Sequence, residues 1–239
     1  MKKLFRRLLI FVLVSSLLGI SVLAVTYKVL EPDLPDVETL RDVQLQVPLR
    51  VFSEDGRLLG IFGEKRRIPV EVENMPDRLK QAFLAGEDAR FYEHPGLDYQ
   101  GITRAVWSLI TTGEKSIGGS TITQQLARNF FLTAEKTWTR KIKEAFLAIK
   151  IEQELEKDEI LELYLNKIFL GYRAYGVGAA AEVYYGKSTN QLSLAQSAMI
   201  AALPKAPSRI NPITSPERAV ERRDYVLSRM LELEYIDES

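Results

Sequence analysis

Apolar positions along this 239-residue chain change their spacing several times, and each change marks an element. From Leu8 to Tyr27 they run together: twenty residues carry no charge, enough at about 1.5 Å per residue to cross a hydrocarbon layer about 30 Å thick. The run predicts an uncleaved membrane anchor. The competing reading, a cleaved signal peptide, finds small residues for a cut at Val22 and Ala24, but its apolar core would be only roughly 7–15 residues long. Beyond the run, "EPDLPDVETLRDVQLQVP" is rich in Pro and acids and reads as a connector. Two short β-like stretches then flank Glu54-Asp55-Gly56-Arg57, an Asp-Gly hairpin signal, so a small β element is expected close to the membrane.

From Asn74 the spacing turns helical. "RLKQAFLAGEDARFY" carries Leu79, Phe83 and Leu84; "STITQQLARNFFL" offers Ser120 or Thr121 as N-cap; "RKIKEAFLAIKIEQEL" repeats at Ile142, Phe146 and Ile149. "DEILELYLNKIFLG" aligns Ile160, Leu161, Tyr164, Leu165, Ile168 and Phe169, with Gly171 as the expected stop. "SLAQSAMIAALP" has a Ser-x-x-Gln capping box before Pro204, and "SPERAVERRDYVLSRMLEL" starts with Ser215 as N-cap and Pro216 at N1. No long internal repeat is present. The pattern predicts a mainly α fold in three parts: an anchor at 1–30, a connector with the β element at 31–73, and a helical domain at 74–239.

Composition sharpens this outline. A charged fraction of 27% with 46% hydrophobic residues is that of a globular chain. Net charge is zero, which offers nucleic acid no basic field. The charges are uneven, however: Lys2, Lys3, Arg6 and Arg7 precede the apolar run, and Glu31, Asp33 and Asp36 follow it. That asymmetry predicts a cytoplasmic N-terminus and an exported remainder. With no cysteine, a packed core rather than disulfides must hold the exported part.

Most glutamates lie among lysines on helices and read as solvated faces. Glu87 differs, because it follows an apolar stretch, precedes Asp88, and is followed by Phe91, His94 and a Pro95-Gly96 break. A carboxyl in such surroundings can hold its proton to higher pH and exchange it near neutrality, although a surface charge on a polar turn fits the same letters. Glu144 lies on an apolar-striped helix beside Arg140 and Lys141. That grouping is either an intrahelical ion pair or a cation cluster for a phosphate-like group. "GGSTITQQLARN" sets Gly118, Ser120, Thr121, Gln125, Arg128 and Asn129 in one stretch, which suits a polar wall for a sugar or diphosphate or, more plainly, a capped helix N-terminus. His94 is the one histidine, and with no cysteine a His/Cys metal cluster is excluded.

Taken in order, "EDARFYEHPG", "GGSTITQQLARNFFL", "RKIKEAFLAIKIE", "KDEILELYLNKIFLGYRAYGVGAAAEVYYGK" and "LPKAPSRINP" resemble the signature blocks of glycosyltransferase family 51, as found in the N-terminal part of class A penicillin-binding proteins. The resemblance covers nearly the whole chain, the anchor and "EKRRIPV" included. It implies a lysozyme-like helical fold with a second, membrane-apposed lobe. The implied activity is inverting peptidoglycan glycosyl transfer, which polymerises lipid II into β-1,4-linked glycan and releases undecaprenyl diphosphate. By position, Glu87 matches the family's general base and Glu144 its second essential glutamate near the diphosphate, where Mg²⁺ or Mn²⁺ is a candidate ion. Lys141, Arg140, Arg128 and Lys205 match basic positions of the donor site; Thr121, Gln125 and Asn129 match its polar wall; Asp88, Phe91 and His94 match supporting residues. The implied partners are lipid II, the growing glycan, the bilayer of a bacterial inner membrane crossed once, and activator proteins of the elongation machinery and outer membrane. The catalytic domain would then face the periplasm. "LDYQGITRAVWSLITTG", with Ile102, Val106, Trp107, Leu109 and Ile110, is expected to form either a lid dipping into lipid or an ordinary core helix.

One departure stands out: no Ser-x-x-Lys motif of a transpeptidase domain occurs, so a truncation is expected and β-lactam binding is not. Two rival functions stay open, a lysozyme-like hydrolase and an anchored interaction domain with a dead site. The Arg140-Lys141-Glu144 cluster and Lys205 speak against the first, because glycan hydrolysis needs no diphosphate site.

Overall fold

The structure, a computed structural model, describes residues 2–41, 45, 48–63, 66–113, 119–132 and 137–237. Its first element is α1 (Lys2–Leu30), long and apolar enough to cross a membrane, and none of its most apolar stretch is buried against the rest of the chain. Only its end docks. The Tyr27 ring meets Phe146 edge-on at 5.1 Å, and just past the helix Asp33 pairs with Lys143 at 3.1 Å.

The hairpin falls where the Asp-Gly signal places it. Strands β1 (Leu49–Phe52) and β2 (Leu58–Phe62) are antiparallel, and Gly56, at φ +80°, donates its N–H to the Ser53 carbonyl. Next, β3 (Arg66–Arg67) runs parallel to β4 (Ala174–Tyr175), far along the chain. The strap that continues from β3 is tied down by Asn166, whose side chain accepts from Val70 N–H and donates to Val70 O at 2.9 and 2.8 Å. Gly178 permits that approach, since a Cβ there would stand 2.2 Å from the Ile68 carbonyl oxygen.

The remaining helices are α2 (Asp77–Glu87), α3 (Tyr99–Thr112), α4 (Ile122–Phe131), α5 (Trp138–Glu154), α6 (Lys157–Lys167), α7 (Val177–Tyr185), α8 (Leu194–Ala202) and α9 (Pro216–Glu232). The fold is mainly α, as the pattern predicts. α2 packs against both α8 and α9, which also pack on each other, while α4 packs against α5 and α6. Where these layers meet, Leu79, Phe83, Ile122, Leu126, Leu147, Ile151, Ile160, Leu161, Tyr164 and Leu165 lose essentially all solvent contact. Burying such side chains contributes roughly 1.5–3 kcal/mol each before conformational entropy is counted. Thr121 caps α4 and Ser193 caps α8, each in a capping box.

Three local expectations are corrected. On α5 the buried face is Glu144, Leu147, Ala148 and Ile151, whereas Ile142 and Ile149 stay exposed. The helix carries two apolar stripes, and the inward one includes the small Ala148, against whose backbone Gly96 packs; a Cβ on Gly96 would lie 2.8 Å from Ala148 O. Helix α6 ends at Lys167, and Gly171 instead serves the turn into β4, where the Ala174 N–H reaches its carbonyl. Ser215 precedes Pro216 at the start of α9 but makes no side-chain cap.

Candidate active site

Glu87 is the last residue of α2, and the chain breaks there because Asp88 leaves helical geometry at φ −160° and ψ 77°. The break is fixed by what Asp88 does. Its carboxylate accepts from His94 Nε2 at 2.9 and 3.0 Å and from the Ile122 N–H at 2.9 Å, which joins the end of α2 to the start of α4. Phe91 is buried against His94, and Lys157 Nζ lies 4.5 Å from the centre of the Phe91 ring. That ammonium also donates to His94 O at 2.7 Å and pairs with Glu152. The whole "EDARFYEHPG" turn is thereby clamped from α4, α5 and α6.

The clamp leaves Glu87 at the wall of an open cleft of about 730 Å³. One face of the carboxylate is held by Gln125, whose Nε2 donates to Oε2 at 2.9 Å, and Gln125 Oε1 in turn accepts from the Tyr164 hydroxyl at 3.3 Å. Burial raises the proton affinity of Glu87 above that of an ordinary glutamate; the Gln125 hydrogen bond and the charges of Arg222, Lys205 and Arg128 oppose the rise without cancelling it. A carboxyl poised in this way exchanges protons closer to neutral pH than a free one does.

Glu144 is also buried, but it faces cations. Lys141 Nζ lies 3.0 Å from Oε2 and Arg140 Nε 3.4 Å from Oε1, an oxygen that has no hydrogen-bond partner. Lys141 reaches on to the Ser120 hydroxyl at 2.6 Å, and Ser120 lines the cleft. This is an anion-attracting arrangement. It does not fit a protein-held divalent ion, because each oxygen of the single carboxylate already faces a cation, Arg140 at Oε1 and Lys141 at Oε2. Among the described residues no group of three His, Asp or Glu side chains converges.

Of the residues singled out from sequence, Glu87, Asp88, Ser120, Thr121, Gln125, Arg128 and Lys205 line one cleft. Phe91 and His94 stand behind its wall, and Thr121 spends its hydroxyl on capping α4 and donating to Gly96 O at 2.6 Å. Arg140, Lys141, Glu144 and Asn129 are not on the lining, although Lys141 connects to it through Ser120. Gly118 lies outside the described residues. α3 is no core helix: Trp107 and Ile110 are 68% and 74% exposed, Ile102 and Leu109 are exposed too, and Val106 has no described side chain. Sequence reasoning foresaw the helix α9 but missed its part in the site. Arg222, Tyr225 and Arg229 line the cleft from it. Their i, i+3, i+7 spacing places them on one helix face, the only signal available within a charge-rich stretch that otherwise reads as solvated.

The cleft thus sets a buried carboxyl of raised proton affinity among arginine and lysine side chains. The chain belongs to the transglycosylase family, whose model matches residues 55–231. It is 58% identical over 98% of its length to penicillin-binding protein 1A of Vibrio cholerae and 59% identical over 95% to that of Escherichia coli. It spans only 28% and 27% of those two relatives. A crystal structure of penicillin-binding protein 1A from Haemophilus influenzae is matched at 38% identity over 82% of this chain and 20% of that one, with a TM-score of 0.46.

Proposed function

We propose that this domain is a peptidoglycan glycosyltransferase that polymerises lipid II, with Glu87 as general base. The observation that carries the reading is the buried Glu87 carboxyl, oriented by Gln125 at 2.9 Å on a cleft lined by Arg128, Lys205 and Arg222. In the reaction the 4-hydroxyl of the acceptor N-acetylglucosamine gives its proton to Glu87. Its oxygen attacks the anomeric carbon of the donor, the bond from that carbon to the diphosphate oxygen breaks, and the configuration inverts. Undecaprenyl diphosphate departs with the electron pair, and Glu87 later returns its proton to water. Positioned base catalysis contributes about 10²–10⁴-fold to such a step.

The leaving group gains negative charge as the bond breaks, so cations aimed at it lower the barrier. Arg128 and Lys205 are on the lining for that task, and the Lys141 ammonium is held toward the cleft by Glu144 and Ser120. In this role Glu144 orients cations and removes no proton. A divalent ion at the diphosphate, if recruited, would take most of its oxygens from the substrate. The apolar helix α1 and the exposed residues of α3 suit an enzyme whose substrates carry long prenyl tails. We assign α1 to a single crossing of a bacterial inner membrane with the cleft on the periplasmic side, and α3 to the approach of the acceptor tail. The growing glycan and activator proteins of the elongation machinery and outer membrane complete the proposed set of partners.

The test is polymerisation of labelled lipid II in detergent by the wild type and Glu87→Gln, with products resolved by length. Ladders from the wild type and none from a folded Glu87→Gln are expected. Ladders of equal intensity from both would end the base assignment, and shortening of pre-formed glycan without ladders would make the protein a hydrolase.

A further inference from the structure

α9 brings to the cleft a side chain that the mechanism above does not use. Arg222 lies over the Tyr225 ring, its guanidinium carbon 4.2 Å from the ring centre, and directs Nη2 at Glu87 Oε1 from 4.0 Å. Both side chains keep only 13% of their exposure, and the buried Arg222 Nε has no hydrogen-bond partner. Leaving a buried donor unpaired is costly, so packing rather than hydrogen bonding holds the group in place. Part of that packing is the contact of α9 with α2 at Gly86, where a Cβ would stand 3.3 Å from Val226 Cγ2.

Every packed element presents something to Glu87. α4 supplies Arg128 and Gln125, α6 supplies Tyr164, the turn after α8 supplies Lys205, and Asp88 follows in the chain but is engaged by His94 and the Ile122 N–H. Among the described residues Arg222 is the one cation within 4.0 Å of the Glu87 carboxylate. Lys205 is exposed and Arg128 half-buried, so both remain open to an incoming anion, whereas Arg222 is stacked and shielded.

We infer that Arg222 is a positioning residue that acts through Glu87, keeping its carboxylate ionised and ready to accept the proton. This rests on Glu87 as the general base. It also divides the cations of the cleft between two tasks, Arg222 for the base and Arg128 with Lys205 for the leaving group.

The experiment is the pH dependence of kcat/KM for lipid II polymerisation by the full chain, Arg222→Gln, Arg222→Lys and Glu87→Gln, with circular dichroism as the check on folding. In Arg222→Gln the acid limb should move to higher pH, which gives a deficit of roughly tenfold on the acidic side that shrinks as pH rises. Arg222→Lys keeps the charge and should restore most of the wild-type limb. A deficit that is the same at every pH would overturn the inference, because a lost packing or binding contact does not change where Glu87 ionises. A second readout needs no turnover: the carboxyl carbon of Glu87 in ¹³C-labelled protein, assigned by its loss in Glu87→Gln, should titrate at higher pH in Arg222→Gln than in the wild type. Identical titrations would also overturn it. Failure of the base assignment is distinct, since Glu87→Gln itself would then turn over with the wild-type limb.

Discussion

Asp88 should be the costliest single carboxylate to remove from the cleft. Its carboxylate accepts hydrogen bonds from His94 Nε2 at 2.9 and 3.0 Å and from the Ile122 N–H at 2.9 Å, and the Asp88 and His94 side chains are 4% and 1% exposed. A hydrogen bond to a charged acceptor contributes about 1.5–3 kcal/mol, so Asp88→Ala, which abandons two buried donors, should cost about 3–6 kcal/mol. That is a large part of the roughly 5–15 kcal/mol that holds a domain together. Asp88→Asn keeps one acceptor but turns an NH₂ toward the other donor, so it should fall about midway. The assay is urea unfolding in detergent followed by circular dichroism. With a slope of about 2 kcal/mol per molar urea, the Ala variant should shift the midpoint down by roughly 1.5–3 M. A double-mutant cycle with His94→Phe separates the histidine share from the helix-start share. An Asp88→Ala variant within about 0.5 kcal/mol of wild type, or one more stable than Asp88→Asn, would refute the view that this carboxylate clamps α2 to α4.

Glu87 should behave in the opposite sense. Its folded proton affinity lies above the ordinary value of 4.5, so below that pH both states hold the proton, and as pH rises the unfolded chain releases it first and stability is lost until the folded group ionises. Glu87→Gln escapes that loss, so its melting temperature should exceed the wild type's near neutral pH and converge on it in acid; a pH-independent difference would count against buried ionisation. Glu144→Ala leaves Arg140 beside an empty place, and thermal unfolding should report a loss of about 3–5 kcal/mol together with loss of glycan ladders. Wild-type stability with ladders intact would mean that the cluster is neither structural nor part of anion binding.

The helices were legible because their signals are local. Capping boxes at Thr121 and Ser193 and the Asp-Gly turn at 55–56 act within a few residues, and the structure places them accordingly. Which stripe of α5 turns inward was not legible, because contacts from distant segments, such as Gly96 against the Ala148 carbonyl, leave no mark in the local pattern. Gly171 looked like a helix stop for a similar reason: its left-handed φ of +88° is needed, but by the turn before β4. Within the site, Glu87 and Gln125 stood out because acids and amides beside apolar runs are unusual. Arg222 did not, since an arginine among Glu221, Arg223 and Asp224 resembles any solvated charge until the fold sets α9 against α2.

Helix α5 carries Glu144 on its buried side and Phe146, on which Tyr27 of α1 rests, on its outer side. Two residues of helix separate them by only about 3 Å along the axis. The contact with the apolar helix α1 and the glutamate that pairs with Arg140 and Lys141 are therefore carried by one helix, with Asp33 and Lys143 as a second fastening. Both fastenings lie within about two turns of Lys141 on the same helix. Under the proposed membrane crossing, the α1–α5 joint would set the height of the cleft above the lipid surface.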